Sequence, residues 1–160
     1  MKPTLYLDSS VPSYWLPPER DDVIVQGRHL LTRKWWTEER SRFDVFVSQI
    51  VLDELAGGKR ERAAERLALV KDFLVLDVDD EVERTARYYA QNMAMPSRNL
   101  RDAFHLAIAS VHEIQYLLTW NYAHLANASK RTHIETLNRR LHLPSPVICS
   151  PEELMLEPTD

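Results

Sequence analysis

The sequence predicts an α/β fold, a three-layer α/β/α sandwich with a central parallel sheet. Short apolar runs alternate along the chain with longer segments of helical periodicity. Parallel strands are joined by helical crossovers that cover both faces of the sheet, so buried strands appear as short apolar runs between helices. Because the 160 residues contain no internal repeat and no linker-like tract, we expect a single domain over 1–160.

The five predicted strands are short apolar or alternating runs bounded by polar residues or proline. In chain order they cover 5–7, 43–47, 73–76, 116–119 and 147–149. Residues 43–47 alternate and include β-branched side chains, and Pro144 and Pro146 bracket the last run. Each run lies between segments with a different, helical pattern, which is the arrangement expected of strands in a parallel sheet.

The predicted helices carry apolar side chains three and four residues apart. In chain order they cover 22–42, 49–56, 60–72, 79–95 and 102–113, with a mixed helical region that continues to about 143. Ser48 is a favourable N-cap for the second helix, and acidic residues suit the start of the fourth. The fifth helix is apolar nearly all round and should be buried against the sheet. Prolines restrict 9–20 to a loop with one turn of helix.

Composition limits the class of protein and its environment. Cys149 is the one cysteine, which allows neither an internal disulfide nor a cysteine-based zinc site. The apolar run at the start is too short for a signal peptide, and no segment approaches the roughly 20 apolar residues of a membrane span. We therefore expect a cytoplasmic protein that has no membrane partner.

Charge neither requires nor excludes a nucleic-acid substrate. The net charge of −4 argues against tight binding through bulk electrostatics, although a metal bound to acidic residues would reverse the local sign. Residues 59–71 and 130–140 each carry a net charge of +3. Solvated helix faces are the commoner role of such segments, and phosphate-contacting faces are the alternative. The candidate RNA contacts in these segments are Lys59, Arg60, Lys130 and Arg131.

Four polar side chains adjoin segments that otherwise belong to the core. Asp8 follows the first strand, and Asn121 follows the fourth. Glu54 lies in the helix after the second strand, and Asp102 opens the fifth helix. Sites in α/β sheets form beyond the carboxyl ends of the strands, so these side chains should converge on one edge. Carboxylates gathered beside a core repel one another, and a divalent cation with oxygen ligands is the usual compensation.

Each of these positions also has a simpler structural explanation. Asp8 can end its strand in an Asx-turn, and Asp102 can be an N-cap. Glu54 can be a solvated helix residue, and Asn121 can be a turn former. Their coincidence on one predicted edge is what favours a functional site.

Several other kinds of site are excluded. The chain has three glycines and contains no P-loop, no dinucleotide-binding fingerprint and no Gly-x-Ser-x-Gly elbow. The six histidines form no His-Glu-x-x-His pair. His105 and His112 lie two turns apart on one predicted helix, where we expect core or supporting roles rather than metal ligation.

Four segments together resemble the PIN-domain nucleases, and in particular the VapC-type toxins of bacterial toxin–antitoxin pairs. They cover 5–11, 51–55, 101–107 and 118–121, in the order and at the spacing of that family. The Asp-Ala-x-His-Leu-Ala run that begins at Asp102 is the most specific of them. The resemblance implies a PIN-like fold, metal-dependent endoribonuclease activity, a homodimer and inhibition by a small antitoxin protein. Exposed members of the aromatic group Tyr14, Trp15, Trp35 and Trp36 could form the dimer or antitoxin face, although core packing is expected for most of them.

The resemblance assigns a catalytic set consisting of Asp8, Glu54, Asp102 and Asn121. Asp8 and Asp102 would hold Mg²⁺ or Mn²⁺, with Glu54 as a further ligand directly or through water. Ser9 and Thr119 would orient ligands or waters from behind the metal ligands.

One position departs from the family pattern. The family frequently has a fourth acid after the fourth strand, where this chain has Asn121. Asparagine can ligate through its carbonyl oxygen but adds no charge, so a second metal would be held more weakly. A histidine shortly after Trp-Asn, here His124, occurs in one branch of the family and is compatible with activity. The alternatives are a catalytically degenerate domain that binds protein or RNA and, with less support, a small-molecule phosphatase or DNA nuclease that uses the same acids.

Overall fold

A computed structural model of the chain describes residues 1–92, 100–125 and 127–156. Within these residues, five strands form one sheet in which all neighbouring strands are parallel. The strands are β1 (Thr4–Leu7), β2 (Asp44–Ser48), β3 (Leu74–Leu76), β4 (Tyr116–Leu118) and β5 (Val147–Cys149). The predicted α/β class with a central parallel sheet is confirmed.

Helices connect the strands. They are α1 (Ser10–Trp15), α2 (Val23–Glu38), α3 (Gln49–Leu55), α4 (Arg60–Val70), α5 (Asp80–Gln91), α6 (Leu100–Val111) and α7 (Ala128–Arg140), with a 3₁₀ turn at Arg40–Arg42. No helix among the described residues is long and apolar enough to cross a membrane.

Strand order places β1 at the centre of the sheet, in the sequence β3-β2-β1-β4-β5. The chain runs outward from β1 through β2 to β3, and then returns to the other side of β1 as β4. Leu7 at the end of β1 is in register with Leu118 at the end of β4. The carboxyl ends of these two strands therefore flank a topological switch point, which is where open α/β sheets bind ligands.

The core is built from β1, β4 and α6. Leu5, Leu7 and Leu117 are fully buried, and so are Leu106 and Ile108 of α6. The expectation that this helix is buried against the sheet is therefore confirmed. Residues that extend from these segments toward the carboxyl edge of the sheet are held on a well-packed base.

The ends of several helices differ from the sequence-based prediction. α6 begins at Leu100, so Asp102 lies inside its first turn and is not an N-cap. The helix predicted over 22–42 ends at Glu38 and is followed by the separate 3₁₀ turn. The segment 9–20 contains a six-residue helix, α1, rather than one turn. The predicted end of the fourth helix, with Pro96 after it, lies outside the described residues.

Helix caps agree better with the prediction. Ser48 caps α3, because its Oγ accepts a hydrogen bond from the Val51 N–H at 3.3 Å. The turn after α3 contains Gly58 with a φ of 77°, a left-handed conformation that glycine adopts without strain. α3, which carries Glu54, is thus fixed at both ends.

Candidate metal centre

Asp8 follows β1 directly, and two hydroxyl groups hold its buried carboxylate. Ser10 Oγ donates a hydrogen bond to Asp8 Oδ2 at 2.8 Å, and Thr119 Oγ1 donates to the same oxygen at 2.7 Å. The Asp8 backbone N–H donates to the Leu118 carbonyl at 3.1 Å, which continues the pairing of β1 with β4. Because both hydroxyl groups approach Oδ2, Asp8 Oδ1 is left to face the remaining acids.

The hydroxyl groups around Asp8 match the sequence analysis at one position and differ at another. Thr119 lies behind Asp8, in the place expected for a residue that orients a ligand. Ser9 lines the same cavity as Asp8, but the serine that contacts the carboxylate is Ser10, which sequence reasoning missed. Ser10 Oγ also accepts the Trp120 N–H at 2.9 Å, so it joins the start of α1 to the segment after β4.

Glu54 reaches the site from α3 through a contact with α6. Its Oε1 lies 2.6 Å from His105 Nε2, and the same nitrogen lies 3.5 Å from Asp8 Oδ1. The other ring nitrogen, Nδ1, is 2.7 Å from the hydroxyl of Tyr6, which in turn is 2.8 Å from Ser48 Oγ. His105 is therefore held at both nitrogens, between the acid cluster and the N-cap of α3.

The acidic neighbours of His105 favour the protonated form of its ring. Burial by itself lowers the pKa of the imidazole, but the hydrogen bond to Glu54 and the charges of Asp8, Glu54 and Asp102 outweigh it, so the net pKa is raised. A protonated ring donates from both nitrogens, to Glu54 and to the Tyr6 oxygen. Compensation of the acids was expected from a cation alone, whereas the protonated form of His105 would supply part of it.

Asp102 lies in the first turn of α6, where it is buried beside the other acids. Burial raises the pKa of its carboxyl group, and the charges of Asp8 and Glu54 add to the shift. His105 and His124 partly oppose this effect. Burial and the neighbouring carboxylates together therefore favour the neutral form of Asp102 as long as no cation is bound.

Asn121 contacts Asp102 through its amide nitrogen. Its Oδ1 accepts the His124 N–H at 3.2 Å, which identifies that atom as the oxygen, and its Nδ2 donates to Asp102 Oδ1 at 3.3 Å. The carbonyl oxygen, which is the one possible metal ligand of an asparagine, is thus used by the backbone of the following turn. The structure brings Asn121 to the site as a hydrogen-bond donor to Asp102.

The four predicted catalytic side chains line one cavity of about 540 Å³ that is open to solvent. Six other lining residues were not predicted as part of the site: Ser10, Tyr14, Arg28, Trp120, Tyr122 and Ala123. Tyr14 was assigned to the core or a partner surface. Trp35, from the same aromatic group, is fully buried as expected.

The donor set fits a hard divalent cation. One ligand atom each from Asp8, Glu54 and His105 lies within 4.8 Å of the others, and Asp102 lines the same cavity. Carboxylate oxygens are the ligands that Mg²⁺ prefers in proteins, and Mn²⁺ accepts them equally. His105 Nε2 is already the partner of Glu54 Oε1, so the oxygens left for a cation are those of the Asp8, Glu54 and Asp102 carboxylates.

The predicted RNA-contact residues lie outside the wall of this cavity. Lys59 precedes α4 and forms an ion pair with Glu19 at 2.9 Å, and Arg60 is exposed beside it. Arg131 of α7 is 3.8 Å from Glu153, and Lys130 lies next to it in the first turns of that helix. Two of the four candidates are therefore paired with acids of this chain, and a contact with RNA stays a prediction for all four.

The chain is similar to a known protein family and to a solved structure. Residues 5–131 match the PIN domain family. No curated protein sequence matches the chain significantly. Among solved structures, the chain is similar to a chain in the crystal structure of VapBC2 from Rickettsia felis bound to a DNA fragment from their promoter. That likeness has a TM-score of 0.52 and 14% identity, and it covers 92% of this chain and 98% of the other. At this identity it shows a shared fold.

Proposed function

The chain belongs to the PIN domain family, and on this premise we propose that it is a metal-dependent endoribonuclease that hydrolyses RNA phosphodiester bonds. One observation carries the proposal. Asp8, Glu54 and Asp102 come from distant segments of the chain and line a single open cavity beyond the carboxyl ends of β1 and β4. Such crowding is costly without a bound cation and useful with one.

Asp8, Asp102 and Glu54 are the residues that would hold Mg²⁺ or Mn²⁺. When bound, the cation supplies Lewis acidity, which stabilises negative charge on the phosphate and makes water a better nucleophile near neutral pH. The carbonyl oxygen of Asn121 already accepts the His124 N–H, and the contact that Asn121 makes with the acids is through its amide nitrogen. Its role in the proposal is to hold Asp102 through the amide.

The remaining side chains orient the ligands. Ser10 and Thr119 fix Asp8 Oδ2, so Oδ1 is presented to the cavity. His105 fixes Glu54 Oε1 from the opposite side and limits repulsion among the carboxylates. These contacts set the geometry before substrate arrives, which lowers the reorganisation needed for hydrolysis.

We further propose that the protein is the toxin of a type II toxin–antitoxin pair, that it forms a homodimer and that an antitoxin protein inhibits it. The support is the fold shared with a chain of the VapBC2 crystal structure and the membership of the PIN domain family. Light scattering of the purified protein at micromolar concentration tests the dimer. A monomeric mass would contradict it.

One observation favours a second candidate, a degenerate domain that binds RNA or protein without cleavage. The position where the family frequently has a fourth acid is Asn121, and its oxygen is engaged by His124. This alternative predicts no cleavage of any RNA with either metal, and no rise in thermal stability when metal is added.

Incubation of purified protein with end-labelled RNA separates the two candidates. The nuclease proposal predicts cleavage with Mn²⁺ or Mg²⁺ and none with EDTA. Intact RNA under all conditions, together with a melting temperature that does not respond to metal, would support the degenerate domain.

A further inference from the structure

We propose that Arg28, Tyr14 and Tyr122 form a subsite for single-stranded RNA in the wall of the acidic cavity. In this subsite the Arg28 guanidinium binds a backbone phosphate, and the ring of Tyr122 stacks against a neighbouring base. The inference rests on the proposed nuclease function and deepens it, because it assigns the part of the cavity that holds substrate rather than metal.

Arg28 lies among three aromatic rings. Its Cζ is 5.5 Å from the ring centre of Tyr14, 5.6 Å from that of Trp120 and 5.2 Å from that of Tyr122. Its Nη1 also donates to the Tyr14 hydroxyl at 3.1 Å. All three distances lie within the range of cation–π attraction. The guanidinium is thus held in place by ring faces and one hydroxyl group.

The segment of α2 that carries Arg28 is fixed to both neighbouring parts of the site. Thr32 Oγ1 donates to the Arg28 carbonyl at 2.6 Å and accepts the Trp120 Nε1–H at 2.8 Å. On the other side, His29 Nδ1 lies 2.9 Å from the Tyr14 carbonyl. Arg28 is therefore positioned relative to both α1 and the segment after β4, which also carries Asn121.

The charge of Arg28 remains available to a ligand. Among the residues that the structure describes, no carboxylate lies within 4.0 Å of its guanidinium, whereas Arg42, Lys59 and Arg131 each have one. Aromatic faces hold a cation without neutralising it. Asp8, Glu54 and Asp102 give the same cavity its negative charge, so Arg28 provides a separate position for an anionic group at the cavity wall.

Phosphate and base chemistry match these groups. A guanidinium offers a planar fork of donors that fits phosphate oxygens. Tyr122 is 38% exposed and lies beside Trp120, with ring centres 6.1 Å apart and an edge-on orientation. Stacking on an exposed aromatic ring needs an unpaired base and tolerates any base. Arg28 and Tyr122 together therefore suit the phosphate and the base of a single strand. The paired bases of a duplex are not expected to stack on Tyr122.

The test compares Arg28→Ala, Arg28→Lys, Tyr122→Ala and Tyr122→Phe with the wild type. Arg87→Ala is the matched control, because Arg87 is an exposed arginine on α5. Cleavage of a single-stranded oligoribonucleotide with Mn²⁺ gives KM and kcat, and fluorescence anisotropy in EDTA gives Kd. Melting temperatures report folding.

We expect Arg28→Ala to raise both KM and Kd roughly tenfold, with a smaller change in kcat. Loss of one phosphate contact also makes the dependence of log Kd on log salt shallower by about 0.7, whereas Arg28→Lys keeps that slope. Tyr122→Ala weakens binding of the single strand, and Tyr122→Phe restores it because the ring remains. Arg87→Ala behaves as wild type.

The outcomes separate the subsite from the nuclease proposal. If wild type cleaves RNA and the Arg28 and Tyr122 variants keep its KM, the subsite is overturned and the nuclease proposal stands. If wild type binds RNA without cleavage and Arg28→Ala weakens binding, the subsite stands and the nuclease proposal falls. If wild type neither binds nor cleaves RNA, both are overturned. If Arg28→Ala does not fold, the comparison of Tyr122→Ala with Tyr122→Phe, made at an exposed residue, tests the subsite instead.

Discussion

His105 and Glu54 form a direct contact, with Nε2 of the imidazole 2.6 Å from Oε1 of the carboxylate. The two residues come from α6 and α3, so the contact joins two elements that carry acids of the site. The acidic neighbours of His105 raise its pKa, and its ring is buried while Glu54 is partly exposed, so the contact has the character of a partly buried ion pair. Removing one partner leaves the other charge without compensation, which is destabilising.

Replacement of His105 tests this relationship. We expect His105→Asn to lower the melting temperature and to reduce RNA cleavage by about 10- to 100-fold, because Glu54 loses its orienting partner. The control is His112→Ala, because His112 lies just after α6, its Nε2 is 2.8 Å from the Asp77 carbonyl, and it does not line the cavity. Equal activity of His105→Asn and wild type would show that the contact does not position Glu54.

Because of His105, we expect the stability of the folded protein to depend on pH. The folded-state pKa of His105 lies above its ordinary value of 6.5, so its stabilising contribution is present below about pH 6.5 and is lost as pH rises through the folded-state pKa. The folded-state pKa of Asp102 is also raised, so ionisation of its carboxyl group costs stability as the pH rises above its ordinary pKa of 3.8. Melting temperatures in EDTA should therefore fall as the pH rises above about 6.5, and less steeply in His105→Asn. A wild-type curve that rises over this interval would contradict the assignment.

Removal of the hydroxyl groups that hold Asp8 should weaken metal binding without unfolding the protein. Thr119→Val and Ser10→Ala each remove one donor to Asp8 Oδ2, and we expect metal affinity or cleavage rate to fall by about 10-fold or more. Thr119→Ser should restore most of the loss. Ser13→Ala is the control, because its hydroxyl donates to the Ser9 carbonyl instead. Metal titrations of cleavage rate distinguish these variants.

The substitution Asn121→Asp introduces the fourth acid, and it should lower the stability of the protein while raising its affinity for metal. Asn121→Asp replaces the donor to Asp102 by a like charge, so the protein in EDTA should melt lower, by about 2–4 °C for each kcal/mol lost. Added Mn²⁺ should raise its melting temperature more than it raises that of wild type. Asn127→Asp adds the same charge at the N-cap of α7 and should leave the metal response unchanged. A smaller metal response in Asn121→Asp than in wild type would refute this account of the position.

The sequence alone was sufficient to predict the strands and the edge of the sheet at which the acids meet. Glu54 was placed at this edge because it follows the apolar run before it in the helix after the second strand, and the structure adds that its neighbour Asp53 is exposed. Asp8 could be placed because a carboxylate directly after a buried strand has one edge of the sheet to face.

Side-chain direction within short or distant segments could not be predicted. The choice between Ser9 and Ser10 as the partner of Asp8 depends on where α1 begins. The prolines of that segment predicted a loop with one turn of helix, so the start of α1 could not be located. The position of Arg28 depends on how α2 packs beside Trp120, which lies 92 residues further along the chain. No local pattern specifies such a contact, since it is set by the packing of the whole domain.

The most direct test of the proposed nuclease compares two neighbouring acids on α3 with the acid that follows β1. Glu54→Gln and Asp8→Asn remove site carboxylates at nearly constant shape, and Asp53→Asn removes an exposed carboxylate that accepts from Gln49 at 2.8 Å. Cleavage of labelled RNA with Mn²⁺ is measured for all three beside wild type, with melting temperatures to confirm folding. We predict that wild type and Asp53→Asn cleave RNA, that EDTA abolishes this cleavage, and that Glu54→Gln and Asp8→Asn do not cleave. Metal-dependent cleavage that is undiminished in folded Glu54→Gln and Asp8→Asn would contradict the account.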